Sequence, residues 1–382
     1  MKIVFTGGAT GGHFYPIIAI IEALHEIEEA EHLLPADITF ISTNPFDKRM
    51  LFENNIEYKE VPTGKMRQYF DIQNFFDIFK TAFGVIRGLR AVYRIFPDIV
   101  FGKGGYASFP ALFAAKYFKI PVVIHESDAS PGRVNLWAGK FARAVAVSYP
   151  EAAKYFPEDK TVVTGQPIRR EVLHTVSRGG ARFLHLEEGR PTILVLGGSQ
   201  GSQAMNEAIL DALPVLLPKY QIIHQVGDKN EEEIKSRLPG ILSLLPEVER
   251  GRYVMFPYLD DLALRMAAGA AQVIISRAGS TIFEIAVWGK PSILIPIGAA
   301  HGDHQHQHKN AYHYARTGAA LVMEEANLTP HLIATEVDAI MEDAGLRAKM
   351  ERAALAFGEQ NKTAAMKIAK EILRIAYEHE SR

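Results

Sequence analysis

Short, continuously apolar runs recur along the whole chain, each followed by residues with helical spacing. In the first half they fall at 3–6, 38–42, 99–102, 122–125, 144–147 and 162–164. In the second half they fall at 192–196, 222–226, 253–256, 273–276, 292–295 and 319–323. None alternates apolar with polar residues. A strand with one wet face alternates, whereas a parallel strand covered by helices on both faces does not. The pattern therefore predicts an α/β fold of βαβ units in doubly wound parallel sheets. Helical spacing at 17–29 and 107–118 supplies two of the covering helices.

A single hydrophobic core stops growing near ~250–300 residues, so the 382 residues favour two domains. The alternation pauses over 174–190, a polar stretch with Gly179-Gly180 and Glu187-Glu188-Gly189-Arg190, then restarts. The expected division is 1–164 and 165–360. From Ala365 the pairs Ala365/Met366, Ile368/Ala369, Ile372/Leu373 and Ile375/Ala376 form one apolar stripe. This predicts a closing helix over 361–382 that packs back on the first domain.

Composition removes several classes of function. The chain has no cysteine, which excludes disulfides, thiolate zinc sites, iron–sulfur clusters and a cysteine nucleophile. With 42 basic and 44 acidic residues the net charge is −2, which disfavours a nucleic-acid partner held by bulk positive charge. Only Ile3-Val4-Phe5 precede the first glycines, too few for a signal-peptide apolar region. The richest apolar run, 109–124, is cut by Lys116 and Lys119, so no run reaches the ~20 residues of a spanning helix. The expectation is a cytoplasmic protein, at most bound peripherally to a membrane.

Five segments carry candidate chemistry. The first, Thr6-Gly7-Gly8-Ala9-Thr10-Gly11-Gly12-His13, joins the first strand to a helix. Glycines there permit positive φ and close backbone approach, and the helix start offers N–H groups to an anion. The spacing matches neither the dinucleotide fingerprint nor a phosphate loop with its lysine. His13 suits general-base work near neutral pH, or merely caps the helix. The second, Gly197-Gly198-Ser199-Gln200-Gly201-Ser202, repeats the strand–turn–helix logic. It is a second phosphate site or a tight connection without ligand.

The third, Ser276-Arg277-Ala278-Gly279-Ser280-Thr281, opens a helix that carries Glu284 in its early turns. A carboxylate there can accept both ribose hydroxyls, or simply complement the helix dipole. The fourth, 301–310, holds His301, His304, His306 and His308 with Asp303 as its one carboxylate. Hydroxyl recognition by Gln and His fits it better than a metal site. The fifth, 69–83, is rich in aromatics: Tyr69, Phe70, Phe75, Phe76, Phe79 and Phe83. Lys and Arg outnumber Asp around it, which suits an anionic membrane interface; the alternative is core packing.

Taken together these motifs resemble the MurG family of bacterial peptidoglycan glycosyltransferases. The residues carrying the resemblance are Gly8 to Pro16, His125-Glu126-Ser127-Asp128, Gly165-Gln166-Pro167-Ile168-Arg169, Gly197 to Gly201, Ser276 to Gly279 with Glu284, and Gln307 with Asn310. The resemblance runs from Met1 to about Ala320 and is similar in pattern to family 28 glycosyltransferases. It implies a GT-B fold, two Rossmann-like domains facing a cleft. It also implies inverting transfer of N-acetylglucosamine from its UDP donor to lipid I, making lipid II, without cofactor or metal.

The resemblance further implies roles. Thr10, Gly11 and Gly12 lie by the donor diphosphate and acceptor, with His13 a candidate base. Arg169 and Ser199 hold the diphosphate, and Gln200 binds the donor. Ser280 and Thr281 surround the nucleoside, Glu284 takes the ribose, and Gln307, or Gln305 in another register, reads the sugar. The aromatic stretch docks on the cytoplasmic face of the plasma membrane.

Three positions depart from the family pattern: Ala9 stands for a glycine, Gln166 for an asparagine, and Asp128 for an asparagine. A carboxylate beside a diphosphate is costly, so Asp128 is expected to meet sugar or acceptor. Rival readings are another GT-B enzyme, such as a glycolipid glycosyltransferase or UDP-sugar epimerase, and a nucleotide-sugar binding protein without catalysis.

Overall fold

The structure, a computed structural model, describes residues 1–8, 10–64, 73–198, 201–298 and 305–380. For 73–78, 305 and 380 it describes the backbone alone. The chain forms two compact units, Met1–Arg170 with Gln360–Arg382, and Glu171–Glu359. The sequence placed the division at 164/165; the units change at Arg170/Glu171 instead.

The first unit is a seven-stranded parallel sheet. Its strands are β1 (Lys2–Thr6), β2 (Asp37–Ser42), β3 (Glu57–Glu60), β4 (Ile99–Gly102), β5 (Val122–Glu126), β6 (Ala144–Val147) and β7 (Thr161–Val163). Their order is β3-β2-β1-β4-β5-β6-β7. In register, Phe5 of β1 lies between Phe40 of β2 and Phe101 of β4, all three buried. Such burial explains the unbroken apolar runs. β3, with sequence Glu-Tyr-Lys-Glu, was not expected, because an edge strand needs no apolar run.

The helix Gly11–Ala30 lays Phe14, Ile17, Ile18, Ile21 and Leu24 on this sheet. The closing helix Ala364–Glu380 adds Ile368, Ile372 and Ile375 to the same core. Each such side chain, fully buried, is worth about 1.5–3 kcal/mol.

The second unit has six parallel strands: β8 (Thr192–Leu196), β9 (Gln221–Gln225), β10 (Tyr253–Phe256), β11 (Val273–Ser276), β12 (Ser292–Leu294) and β13 (Ala320–Val322). Their order is β10-β9-β8-β11-β12-β13. Its core gathers Ile193, Val195, Ile222, Ile275 and Ile293 with Leu210 and Leu213 of the helix Gln203–Leu216.

In each sheet the chain leaves the first strand toward one side and later returns to its other side. The strand order thus reverses between β1 and β4, and between β8 and β11. Crevices outside the carboxyl ends of strands at such a reversal are where open α/β sheets bind ligands. The sequence motifs at Gly7–His13, Gly197–Ser202 and Ser276–Glu284 all follow strands bordering these two points.

Candidate functional site

In the first unit the turn after β1 runs straight into the helix Gly11–Ala30, so His13 lies in the first helical turn. Thr10 is the residue before the helix, and its side chain does not cap the backbone. Instead its hydroxyl pairs with His13 Nδ1 at 3.0 Å, fixing the imidazole. None of the described glycines in this turn has positive φ, contrary to the expectation for it. Gly8 is required by space: a Cβ there would meet His13 Nδ1 at 2.9 Å. Ala9 lies outside the described residues.

The next strand of the reversal supplies a second turn that the sequence reading passed over, Gly102-Lys103-Gly104-Gly105. Gly104 and Gly105 have φ of +89° and +77°, the left-handed region natural to glycine. A Cβ on Gly105 would stand 3.4 Å from His13 Nε2, so glycine keeps the space beside that nitrogen open. Lys103 is 1% exposed. Its backbone N–H donates to Thr6 O at 2.8 Å, and its ammonium donates to Ser127 Oγ.

The segment after β5 completes the group. Buried Glu126 accepts from the backbone of Asp128 (3.0 Å) and Gly132 (3.1 Å), and from Asn135 Nδ2 (2.9 Å). Its carboxyl is raised above the usual carboxylate range by burial, then by neighbouring Asp128. Burial pushes the Lys103 ammonium down to about 8, against the opposing pull of Glu126 and Asp128. The His13 imidazole is pushed down to about 4, by burial first and Lys103 second, while Asp128 pulls the other way. At neutral pH His13 is therefore a neutral acceptor. Arg169 belongs to this unit too, its guanidinium 4.5 Å from the centre of the Tyr15 ring. Thr10, Gly11, Gly12, His13, Asp128 and Arg169 are thus brought together in one unit.

The second unit gathers a different set. Gly198 and Gly201 have φ of +81° and +71°, the left-handed region natural to glycine. Ser202 caps the helix Gln203–Leu216 by accepting from Met205 N at 3.4 Å. Arg277, which the sequence motif contained without assigning it a role, donates to Ser202 Oγ and pairs with Glu325. It also donates to Ile295 O (3.0 Å) and Pro296 O (3.2 Å). One buried guanidinium thus ties the ends of β11 and β12 to the glycine turn.

Ser280 precedes and Thr281 opens the short helix Thr281–Val287, which carries Glu284. Gln307 Oε1 accepts from Ile297 N at 3.3 Å, and His308 Nε2 pairs with Ile297 O at 2.8 Å. Buried Asn310 donates to Ala278 O at 3.4 Å. Ser199, Gln200, His301 and His304 lie outside the described residues, as does the side chain of Gln305. Among the described residues no cluster of three His, Asp or Glu side chains could hold a metal.

The aromatic stretch is described in part. Tyr69 and Phe70 lie outside the described residues; Phe75 and Phe76 fall in the helix Gln73–Ile95, with side chains not described. Phe79 and Phe83 on that helix are 62% and 51% exposed, so core packing does not account for them. Ile86 and Tyr93 are exposed on the same helix. Among the described residues no helix is long and apolar enough to cross a membrane.

Comparison with known proteins matches both units. Residues 3–147 match the glycosyltransferase family 28 N-terminal domain, and residues 192–372 match its C-terminal domain. A Clostridium novyi protein is 35% identical over 90% of this chain and 91% of its own length. A Treponema denticola protein is 33% identical over 86% and 85%. Both are named UDP-N-acetylglucosamine–N-acetylmuramyl-(pentapeptide) pyrophosphoryl-undecaprenol N-acetylglucosamine transferase. The crystal structure of Acinetobacter baumannii MurG superposes with a TM-score of 0.68 at 24% identity, covering 98% of this chain and 99% of that one. The Neisseria meningitidis UDP-GlcNAc 2-epimerase bound to UDP-GlcNAc superposes at 0.66 with 16% identity, over 98% and 100%. Likeness at these identities establishes the GT-B fold of two parallel-sheet α/β domains.

Proposed function

Because this chain belongs to glycosyltransferase family 28, we propose that it transfers N-acetylglucosamine from UDP-N-acetylglucosamine to lipid I, forming lipid II. The observation that carries the chemistry is His13, a neutral imidazole at the strand-order reversal with glycine beside its Nε2. In this reading His13 Nδ1–H donates to Thr10, which leaves the Nε2 lone pair to act as base. The acceptor hydroxyl oxygen bonds to the anomeric carbon of the donor as the bond to UDP breaks. The hydroxyl proton passes to Nε2, and the electron pair of the broken bond leaves on the diphosphate. One displacement inverts the anomeric centre.

The second unit takes the donor. Glu284 accepts from the ribose hydroxyls, Ser280 and Thr281 flank the nucleoside, and Gln307 reads the sugar. Ser199 meets the diphosphate and Gln200 the donor beside it. Charge grows there in the transition state, so fixed donors stabilise it more than the ground state. Asp128 lies with His13 in the first unit and suits an acceptor or sugar hydroxyl.

The helix Gln73–Ile95 docks the protein on the cytoplasmic membrane face. Its exposed Phe79, Phe83, Ile86 and Tyr93 stand among Lys80, Arg87, Arg90 and Arg94, an apolar stripe flanked by cations. Sedimentation with anionic vesicles, lost for Phe79→Ser/Phe83→Ser and absent with zwitterionic vesicles, supports this; equal binding to both opposes it.

The test of the activity is transfer of labelled sugar from UDP-N-acetylglucosamine to a lipid I analogue. Product that depends on the acceptor supports the proposal. Conversion of the donor alone would instead point to an epimerase.

A further inference from the structure

We propose that Lys103 is a positioning residue for the transfer: its ammonium, pinned through Ser127 to Gln166, holds a fixed positive charge beside His13 and keeps that imidazole free to accept a proton. The inference rests on the reading of His13 as base, and deepens it.

The geometry is a chain of hydrogen bonds across three strand ends. Lys103 Nζ donates to Ser127 Oγ, which donates to Gln166 Oε1 at 3.0 Å. Ser148 Oγ donates to the same Gln166 oxygen at 2.9 Å. Gln166 is itself fixed, its backbone N–H donating to Asn361 Oδ1 at 2.8 Å, just before the closing helix. Lys103, Ser148 and Gln166 are buried, so the ammonium has no solvent shell to wander in. A buried ammonium held this way costs desolvation free energy. A lysine serving only to fill space there would be replaced without loss by an apolar side chain of the same length.

What the charge does follows from the neighbours. The turn carrying Lys103 packs on the turn carrying His13: a Cβ on Gly7 would meet Lys103 Cβ at 3.2 Å, and one on Gly105 would meet Gly8 Cα at 3.0 Å. The charged groups facing His13 are Lys103 from the end of β4 and Asp128 from beyond β5; Glu126 faces Lys103. The substrates of the proposed reaction bring two diphosphates. Each negative charge near an imidazole favours its protonated form, which is useless as a base. Burial alone opposes this, and Lys103 adds a cation that opposes it further. The ammonium stays charged up to about pH 8, which spans the range in which His13 must remain neutral.

The experiment compares Lys103→Met and Lys103→Arg with the unaltered protein by two readouts. The first is the NMR titration of the His13 imidazole, assigned with His13→Gln, which needs no activity. Lys103→Met is expected to raise the His13 midpoint by about one pH unit, a tenfold change in proton affinity, and Lys103→Arg by far less. The second is the pH profile of kcat. The acid limb of Lys103→Met is expected to move to higher pH by a similar amount, with rates converging on the unaltered protein once pH is well above both midpoints, where His13 is neutral in either protein. Ser127→Ala, which frees the ammonium without removing it, is expected to give a smaller shift of the same sign. An unmoved His13 midpoint in a folded Lys103→Met protein, or a rate loss equal at all pH values, would overturn the inference. Absence of transfer by the unaltered protein would instead sink the proposed function, leaving the titration to judge Lys103 alone.

Discussion

The two glycine-rich turns follow the same element order, yet they are built for different work. After β1 the chain sets a neutral imidazole among Lys103, Glu126 and Asp128, four titratable groups in one crevice. After β8 the turn is held by Arg277, whose donors go to Ser202, Glu325 and two carbonyls. A guanidinium does not lose its proton in a protein, so it organises a binding surface without exchanging protons. Displaced groups gathered at a glycine-rich turn, as around His13, suit proton transfer, whereas the displaced His224 of the second unit is bonded to Tyr253 and Asn206. The same fold unit, used twice, thus separates a region suited to proton transfer from one suited to holding a ligand.

The contrast breaks most severely at Arg277. Arg277→Met leaves Glu325 without its cationic partner and frees the end of the glycine turn, and is expected to cost the second unit about 3–5 kcal/mol. Unfolding followed by hydrogen exchange should show the loss in the second unit, with the first unit's core protection kept.

Acid sharpens the comparison next. Burial holds His13 at about 4 and His125 well below its ordinary value in the first unit, and His224 at about 3 in the second. In the unfolded chain each titrates near 6.5. As pH falls below 6.5 the unfolded state takes up protons that the folded state refuses, so stability falls by about 1.4 kcal/mol per unit for each such histidine. Glu126, held above the usual range, gains its proton in the folded state and offsets part of this in the first unit. Exchange protection measured at pH 7 and pH 5 is expected to drop in both units, with Glu126 offsetting part of the drop in the first alone. Protection unchanged with pH would contradict the burial of these imidazoles.

Glu284→Ala gives the smallest of the three effects. Losing charge-assisted hydrogen bonds of about 1.5–3 kcal/mol is expected to raise the donor KM by one to two orders of magnitude and leave kcat within a few-fold. Equal loss in kcat would place Glu284 in the chemistry and blur the division.

Most of the fold was legible because both sheets are parallel and covered, so ten or more strands read as unbroken apolar runs. β3 was not, because an edge strand of Glu-Tyr-Lys-Glu carries no such signal. His13 was legible because a glycine-rich turn led to it. Lys103 was not: a lysine after a strand reads as surface, and its burial depends on Ser127 and Gln166, 24 and 63 residues further along the chain. The one local hint was Gly102-Lys103-Gly104-Gly105, a glycine-flanked lysine at a strand end. Arg277 and Glu325 likewise meet across 48 residues, which spacing cannot reveal. The sequence grouped Arg169 with the second domain; the structure places it in the first unit, on Tyr15 of the helix that carries His13.

The division of labour is tested most directly by His13→Gln, measured for UDP-N-acetylglucosamine binding by calorimetry and for sugar transfer to a lipid I analogue. A neutral side chain of similar reach removes the base and little else. The expected result is donor affinity within a few-fold of the unaltered protein, with kcat lower by about 10²–10⁴-fold, the usual contribution of a general base. Near-full turnover in the His13→Gln protein, or loss of donor binding in step with turnover, would contradict the account.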